Sequence, residues 1–161
     1  MLSDGTIQCW GRNNQRQLGI GSTDELAAPG KSVVGISTAV SVSAGREHTC
    51  ALLLNGGALC WGNGSNGRLG NGSTDNQNSP VTVSGITTAV AVGAGRSHSC
   101  AVLADGSTQC WGGDGDGRLG NGSELGDSNT PTDVLNVPTA RAVITGDKLS
   151  LIHISEPTRP Y

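Results

Sequence analysis

Residues Gly45 to Ser73 read GREHTCALLLNGGALCWGNGSNGRLGNGS, and fifty positions later Gly95 to Ser123 read GRSHSCAVLADGSTQCWGGDGDGRLGNGS. That echo restricts the fold more than any single residue does, because self-similarity at a fixed period of this length marks an array of like modules. Met1 to Gly19, MLSDGTIQCWGRNNQRQLG, aligns with the second half of the same unit. The Cys-Trp-Gly triplets at 9–11, 60–62 and 110–112 therefore recur at spacings of 51 and 50. A module in such an array buries its apolar face only against its neighbours, so chain length counts repeats here instead of domains.

Composition selects the kind of module. The 161 residues include 26 glycines and no phenylalanine, the single tyrosine is the last residue, and each unit carries one tryptophan. A chain so poor in bulky side chains has to bury Ala, Val and Leu in short segments closed by tight turns, which favours strands. Thr49-Cys-Ala-Leu-Leu-Leu and Ala58-Leu-Cys-Trp flank Asn55-Gly56-Gly57, while Ser99-Cys-Ala-Val-Leu-Ala and Ser107-Thr-Gln-Cys-Trp flank Asp105-Gly106. Asn-Gly and Asp-Gly between alternating runs predict β-hairpins. Two further strands are expected upstream of each hairpin: Lys31-Ser-Val-Val and Ala39–Ala44, Pro80-Val-Thr-Val and Ala89–Ala94, Thr132-Asp-Val-Leu and Ala140–Thr145. Four strands per fifty residues is the count of a propeller blade. The fold class expected is all-β, a partial β-propeller of about three blades of four short antiparallel strands. The polar stretch between Trp and Pro reads as an ordered surface loop pinned by an inserted leucine, and no helix of ordinary length is expected.

At these residues a resemblance becomes specific. The pattern G-x-x-H-[ST]-C-A-L-x-x-[DN]-G-x-x-x-C-W-G-x-N-x-x-G-x-L-G-x-G, followed by Pro and Val-rich strands, resembles the regulator of chromosome condensation repeat in a cysteine-containing, bacterial-type form. The resemblance covers residues 1 to about 148 and implies a seven-bladed β-propeller with a tendency to bind other proteins. Members of that family include an exchange factor for a nuclear GTPase, a plant ultraviolet photoreceptor and a secreted β-lactamase inhibitor, so the partner does not follow from the fold. Residues 1–148 are read as a partial blade, two full units and the start of a further one, from a longer protein. Gly146 aligns with Gly95, which predicts His at 149 and Cys at 151, where Leu149 and Leu151 stand. Residues 149–161 resemble a translated sequencing-library adapter and are read as a non-native tail, which removes His153 from consideration.

The cysteines follow the period. Cys50 and Cys60 lie on either side of one hairpin turn and Cys100 and Cys110 on either side of the next, while Cys9 is left unpaired by truncation. Opposed residues of an antiparallel pair fall within disulfide reach. A strict two-residue turn would instead set Cys110 opposite Ala101, so a three-residue loop or bulge is required. Bridges Cys50–Cys60 and Cys100–Cys110 are expected, and they imply an extracellular, cell-surface or periplasmic location. Two other readings stay open: buried free thiols, and a metal site of His98, Cys100 and Cys110 with only three ligands.

His48 and His98 recur with the module, as do Trp10, Trp61 and Trp111 and the loop leucines Leu18, Leu69 and Leu119, so they read as structural signature residues. The tryptophans are expected between blades, each indole N–H bonded to a neighbouring loop. Gly112 to Gly120 resembles two calcium motifs and completes neither, because Gly117, Arg118 and Leu119 stand where ligands or a turn glycine belong. Asn63, Asn71 and Asn121 open formal glycosylation triplets of a kind that arises by chance in such loops. A net charge of −3 with scattered basic residues excludes a nucleic-acid stripe. No apolar run is long enough for a membrane helix, and neither a serine elbow nor a P-loop is present, so no cofactor, small-molecule substrate or catalysis is expected. Arg46 and Arg96, with Arg68 and Arg118, recur on successive units and form the candidate row for partner contact. The reading is a non-enzymatic propeller module of an exported protein that binds another protein through blade loops. A structural cell-surface repeat, or an accessory domain of a secreted enzyme, is the alternative.

Overall fold

The computed structural model describes residues 1–123, 126–137, 139–147 and 149–153, the side chains of Leu151 and His153 excepted. Two four-stranded antiparallel sheets dominate it. The first is built from β1 (Ala39–Ala44), β2 (His48–Leu53), β3 (Ala58–Gly62) and β4 (Gln77–Thr82) in sequence order. The second repeats it with β5 (Ala89–Ala94), β6 (His98–Leu103), β7 (Thr108–Gly112) and β8 (Ser128–Asp133). Strands β9 (Ala142–Thr145) and β10 (Ser150–His153) pair as the opening of a third sheet. Before β1, only two bridges, Gln8 with Ser32 and Gly11 with Leu26, mark the closing half of a preceding sheet. β1 lies beside β5 and β5 beside β9, so the sheets stack by their first strands, as blades do about an axis. Among the described residues the sole helical piece is a 3₁₀ turn at Ser65–Gly67, and no helix is long and apolar enough to cross a membrane.

Register explains several local choices. Leu53 N–H donates to Gly57 O and Leu103 N–H to Ser107 O, so each hairpin turns through three residues ending in Gly56 or Gly106 at φ of +80° or +86°. This is a three-residue loop with a left-handed closing glycine, and the extra residue sets Cys50 opposite Cys60 and Cys100 opposite Cys110. Bulges at Val40 and Val90 push these two valines outward, where they are exposed although they lie in strands. β4 and β8 carry further shifts beside Trp61 and Trp111, at the stretches that contain Pro80 and Pro131, where a missing N–H breaks no ladder bond.

The phase of the blades differs from the sequence-based expectation. Pro80-Val-Thr-Val, expected upstream of the second hairpin, instead supplies Pro80, Val81 and Thr82 to the outer strand β4 of the first blade, reached across the long loop. Lys31-Ser-Val-Val likewise closes the sheet before β1. Of the stretch read as a tail, Ser150–His153 forms β10, and residues 154–161 lie outside the described residues.

The core sits between blades. One apolar cluster joins Ile7, Val33, Ile36 and Ala51 to Trp61. The next joins Leu69, Val83, Ile86, Ala89 and Ala101 to Trp111, and the last joins Leu119, Val102, Ala140 and Val143. Each cluster mixes residues of two successive units, so the neighbour supplies half of every core.

Candidate functional site

The contacts between blades repeat one device. The inserted leucine of each loop is buried, with Leu18 at 3% exposure and Leu69 and Leu119 at 0%, and its position fixes the carbonyl of the residue before it. Gln17 O accepts the Trp61 indole N–H and the Thr49 hydroxyl, both at 2.9 Å. Arg68 O accepts the Trp111 indole and the Ser99 hydroxyl, both at 3.0 Å, and Arg118 O accepts Ser150 Oγ at 2.9 Å. At Gln17 and at Arg68 one backbone oxygen thus holds two side chains of the following blade. The glycine after the leucine serves the same contact: at Gly70, with φ of +69°, a Cβ would come within 2.7 Å of the Trp111 ring nitrogen.

The histidines complete the clamp. His48 Nε2 lies 2.8 Å from Ser99 Oγ and His98 Nε2 2.8 Å from Ser150 Oγ, each pair spanning two units. Ser99 has one hydroxyl hydrogen, and it goes to Arg68 O, so His48 must donate from Nε2. The ring is therefore the Nε2–H tautomer, and its buried Nδ1 has no hydrogen-bond partner; the same holds for His98. Burial pushes the pKa of His48 down to about 3, helped by the neighbouring charges of Arg68 and His98. Burial, with Arg118 nearby, lowers that of His98 to about 4. An unfolded histidine takes a proton near pH 6.5, so these folded-state values are depressed and the unfolded chain binds more protons below that pH. Stability is fully present above pH 6.5 and is lost as pH falls toward 4, at up to ~1.4 kcal/mol per pH unit for each histidine. Urea midpoints at pH 7.5, 6 and 5 should fall in that order; a flat series would contradict buried, neutral histidines.

At the axial ends of β1 and β5 the chain closes on itself through backbone contacts. Arg46 N–H donates to Gly95 O at 3.1 Å, and Arg96 N–H to Gly146 O at 3.2 Å. A Cβ on Gly95 would stand 2.6 Å from Gly146 O, which is why glycine opens each of these turns. The Arg46 and Arg96 side chains are exposed here, Arg96 paired with Asp147 at 3.2 Å. Arg68 and Arg118 do not join them, which corrects the four-arginine row. Arg68 is buried, donating to Ser65 O, Asn66 Oδ1 and Arg96 O, with Glu47 3.6 Å away. Arg118, its side chain 10% exposed, donates to Ser97 Oγ and to Asp116. Their heads tie the long loop to the axial turn, a load that sequence position alone does not reveal.

Cys50 is bridged to Cys60 and Cys100 to Cys110, with Cα separations of 4.1 and 4.0 Å, and all four are essentially inaccessible. Cys9 is unbridged and half-buried, and burial raises its thiol pKa. Trp10 departs from the expectation set for the three tryptophans, at 58% exposure against 0% for Trp61 and Trp111. Among the described residues no group of three or more His, Cys, Asp or Glu is placed to share a metal ion. Asn63, one formal glycosylation acceptor, is buried and donates to Gln15 and Glu47.

Sequence reasoning missed the clamp carbonyls, since a backbone oxygen carries no residue signature. It also passed over the hydroxyl between His and Cys, at Thr49 and Ser99, although its recurrence was visible.

The model of the regulator of chromosome condensation (RCC1) repeat matches residues 4–52 and 55–102, and a second model of the same description matches 39–68 and 89–118. Protein RCC2 homolog of Danio rerio is 42% identical over 86 residues, covering 52% of this chain and 17% of that protein. Ultraviolet-B receptor UVR8 of Arabidopsis thaliana is 39% identical over 83 residues, covering 50% and 19%. The chain therefore spans less than a fifth of these relatives. Among solved structures, Prp20p from Saccharomyces cerevisiae superposes with a TM-score of 0.82 at 22% identity, covering 94% of this chain and 40% of that one. Human WBSCR16 gives 0.77 at 22% identity, covering 90% and 39%.

Proposed function

Because the chain belongs to the regulator of chromosome condensation repeat family, we propose that it is a non-catalytic propeller module, part of a larger exported protein, that binds another protein through its blade-end loops. The observation that carries this reading is where its reactive groups are spent. His48, His98 and Ser99, whose side chains could do acid–base or nucleophilic work, are consumed in the buried clamp. What recurs at the surface is the axial turn that presents Arg46 and Arg96. The solved structure of Prp20p is described together with its binding to Gsp1p and histones, which supports a binding role for propellers of this kind. The two bridged hairpins support an oxidising compartment.

Charge reversal at the exposed pair, Arg46→Glu with Arg96→Glu, tests the surface. In the host's secreted or periplasmic fraction, cross-linking should give a discrete adduct with the parent chain. The double variant should lose it by tenfold or more while melting within a few degrees of the parent. An unchanged adduct would move the contact elsewhere.

A further inference from the structure

We propose that the edge of the chain around Leu119 is a socket for an indole, and that its occupant is Trp10 of a second copy of this chain, so that copies join head to tail.

In the two joints between successive units, the glycine after the inserted leucine lies under the next unit's ring. A Cβ on Gly19 would stand 2.6 Å from the Trp61 ring nitrogen, and one on Gly70 2.7 Å from that of Trp111. At Gly120, with φ of +63°, the nearest described atom to such a Cβ is Val134 Cγ1 at 3.0 Å, and no ring lies within 4 Å. A cavity of about 170 Å³ stands there, its walls including Arg118, Leu119, Gly120, Val134 and Ser150. Their counterparts Arg68, Leu69, Gly70, Val83 and Ser99 surround the Trp111 ring. Gly70 and Val83 are buried under it, whereas Gly120 is exposed and Val134 half-buried. The carbonyl is in place too. Arg118 O accepts the Ser150 hydroxyl as Gln17 O and Arg68 O accept Thr49 and Ser99, and among the described residues no indole reaches it.

The matching ring stands at the opposite end of the chain. Trp10 is 58% exposed, on a stretch, 7–11, that among the described residues is bridged on one side, to Ser32 and Leu26. Strand β10 likewise pairs with β9 alone. In the complete blades these two kinds of strand lie side by side, β2 with β3 and β6 with β7, which sets Thr49 opposite Trp61 and Ser99 opposite Trp111. The same register between two copies sets Ser150 of one opposite Trp10 of the other and brings both to Arg118 O. A second contact agrees with the first. Ile144, 67% exposed, occupies the position of Ser43 and Gly93, which face the next unit: Ser43 Oγ accepts the Ala94 N–H at 3.0 Å, and a Cβ on Gly93 would stand 3.0 Å from Thr145 Oγ1. Between copies that position meets Ala44, which with Ile7, Cys9, Trp10 and Thr49 lines a cavity of about 300 Å³. Socket and ring lie at different ends, so the contact is heterologous and copies add in one direction.

The test follows the full 161-residue chain by sedimentation velocity. One pocketed indole and one short strand pair make a small interface, so Kd belongs on the order of 10–100 µM, and concentrations from about 1 to 300 µM bracket it. The parent should be monomeric at the lowest concentration and oligomeric at the highest, its tryptophan emission shifting to the blue as Trp10 leaves water. Trp10→Ala and Val134→Glu should each stay monomeric and melt within a few degrees of the monomeric parent. Val134 is half-exposed in the single chain, so a carboxylate there meets water until a ring covers it. Mixed, the two variants should form a one-to-one complex and nothing larger, because one keeps the socket and the other keeps the ring. The proposal is overturned if the parent is monomeric throughout, if Trp10→Ala associates as the parent does, or if the mixture stays monomeric.

Discussion

Replacing Trp111 with alanine should lower the free energy of unfolding by about 3–5 kcal/mol, the range for deleting a fully buried tryptophan. The ring is 0% exposed, lies in the cluster that joins the first blade to the second, and donates to Arg68 O. A loss of that size is a large fraction of the total stability of an ordinary domain, so the two blades should separate at a lower urea concentration. Trp10→Ala is the internal control. That ring is 58% exposed, and its removal should change stability by no more than roughly 0.5 kcal/mol. Urea unfolding followed by circular dichroism distinguishes the two; equal effects would mean that the indole contacts do not hold the blades together.

Opening the hairpin bridges should have the next largest effect. Each links residues ten apart across one turn, and losing a bridge of this kind costs about 2–4 kcal/mol, largely by freeing the unfolded chain. The double replacements Cys50→Ala with Cys60→Ala, and Cys100→Ala with Cys110→Ala, should each lower the free energy of unfolding by that amount, read as a lower urea midpoint at unchanged slope. Because the four sulfurs are buried, reductant should attack the native chain only as fast as it opens. Unfolded but unreduced protein should titrate with one reactive thiol, Cys9. Five reactive thiols would remove the bridges and, with them, the support for an oxidising compartment.

How far the sequence reached follows from what a letter can encode. The hairpins were legible because Asn55-Gly56 and Asp105-Gly106 interrupt runs of β-forming residues at a fixed offset. Even the three-residue turn was implied by the need to face Cys100 with Cys110. Blade phase was not legible, because a strand like Gln77–Thr82 reads the same whichever sheet it joins, and the joining choice is made by a long polar loop. The arginines misled for a related reason: Arg46 and Arg68 share a period and a charge, and only the packed loop decides that one faces solvent and the other is buried. Trp10 shares the Cys-Trp-Gly triplet with Trp61, yet its ring is exposed where that of Trp61 is buried, a difference the triplet does not encode.

The account rests on a neutral imidazole donating its Nε2–H to the next blade's hydroxyl oxygen. Nitrogen-15 NMR of the histidine rings reads this directly at His48, in the interior of the described chain. Its ring should be the Nε2–H tautomer with an unprotonated Nδ1, and it should stay so from pH 7.5 down to pH 5. A ring that exchanges tautomers, or that gains a proton near pH 6.5, would contradict the clamp and the stacked blades built on it.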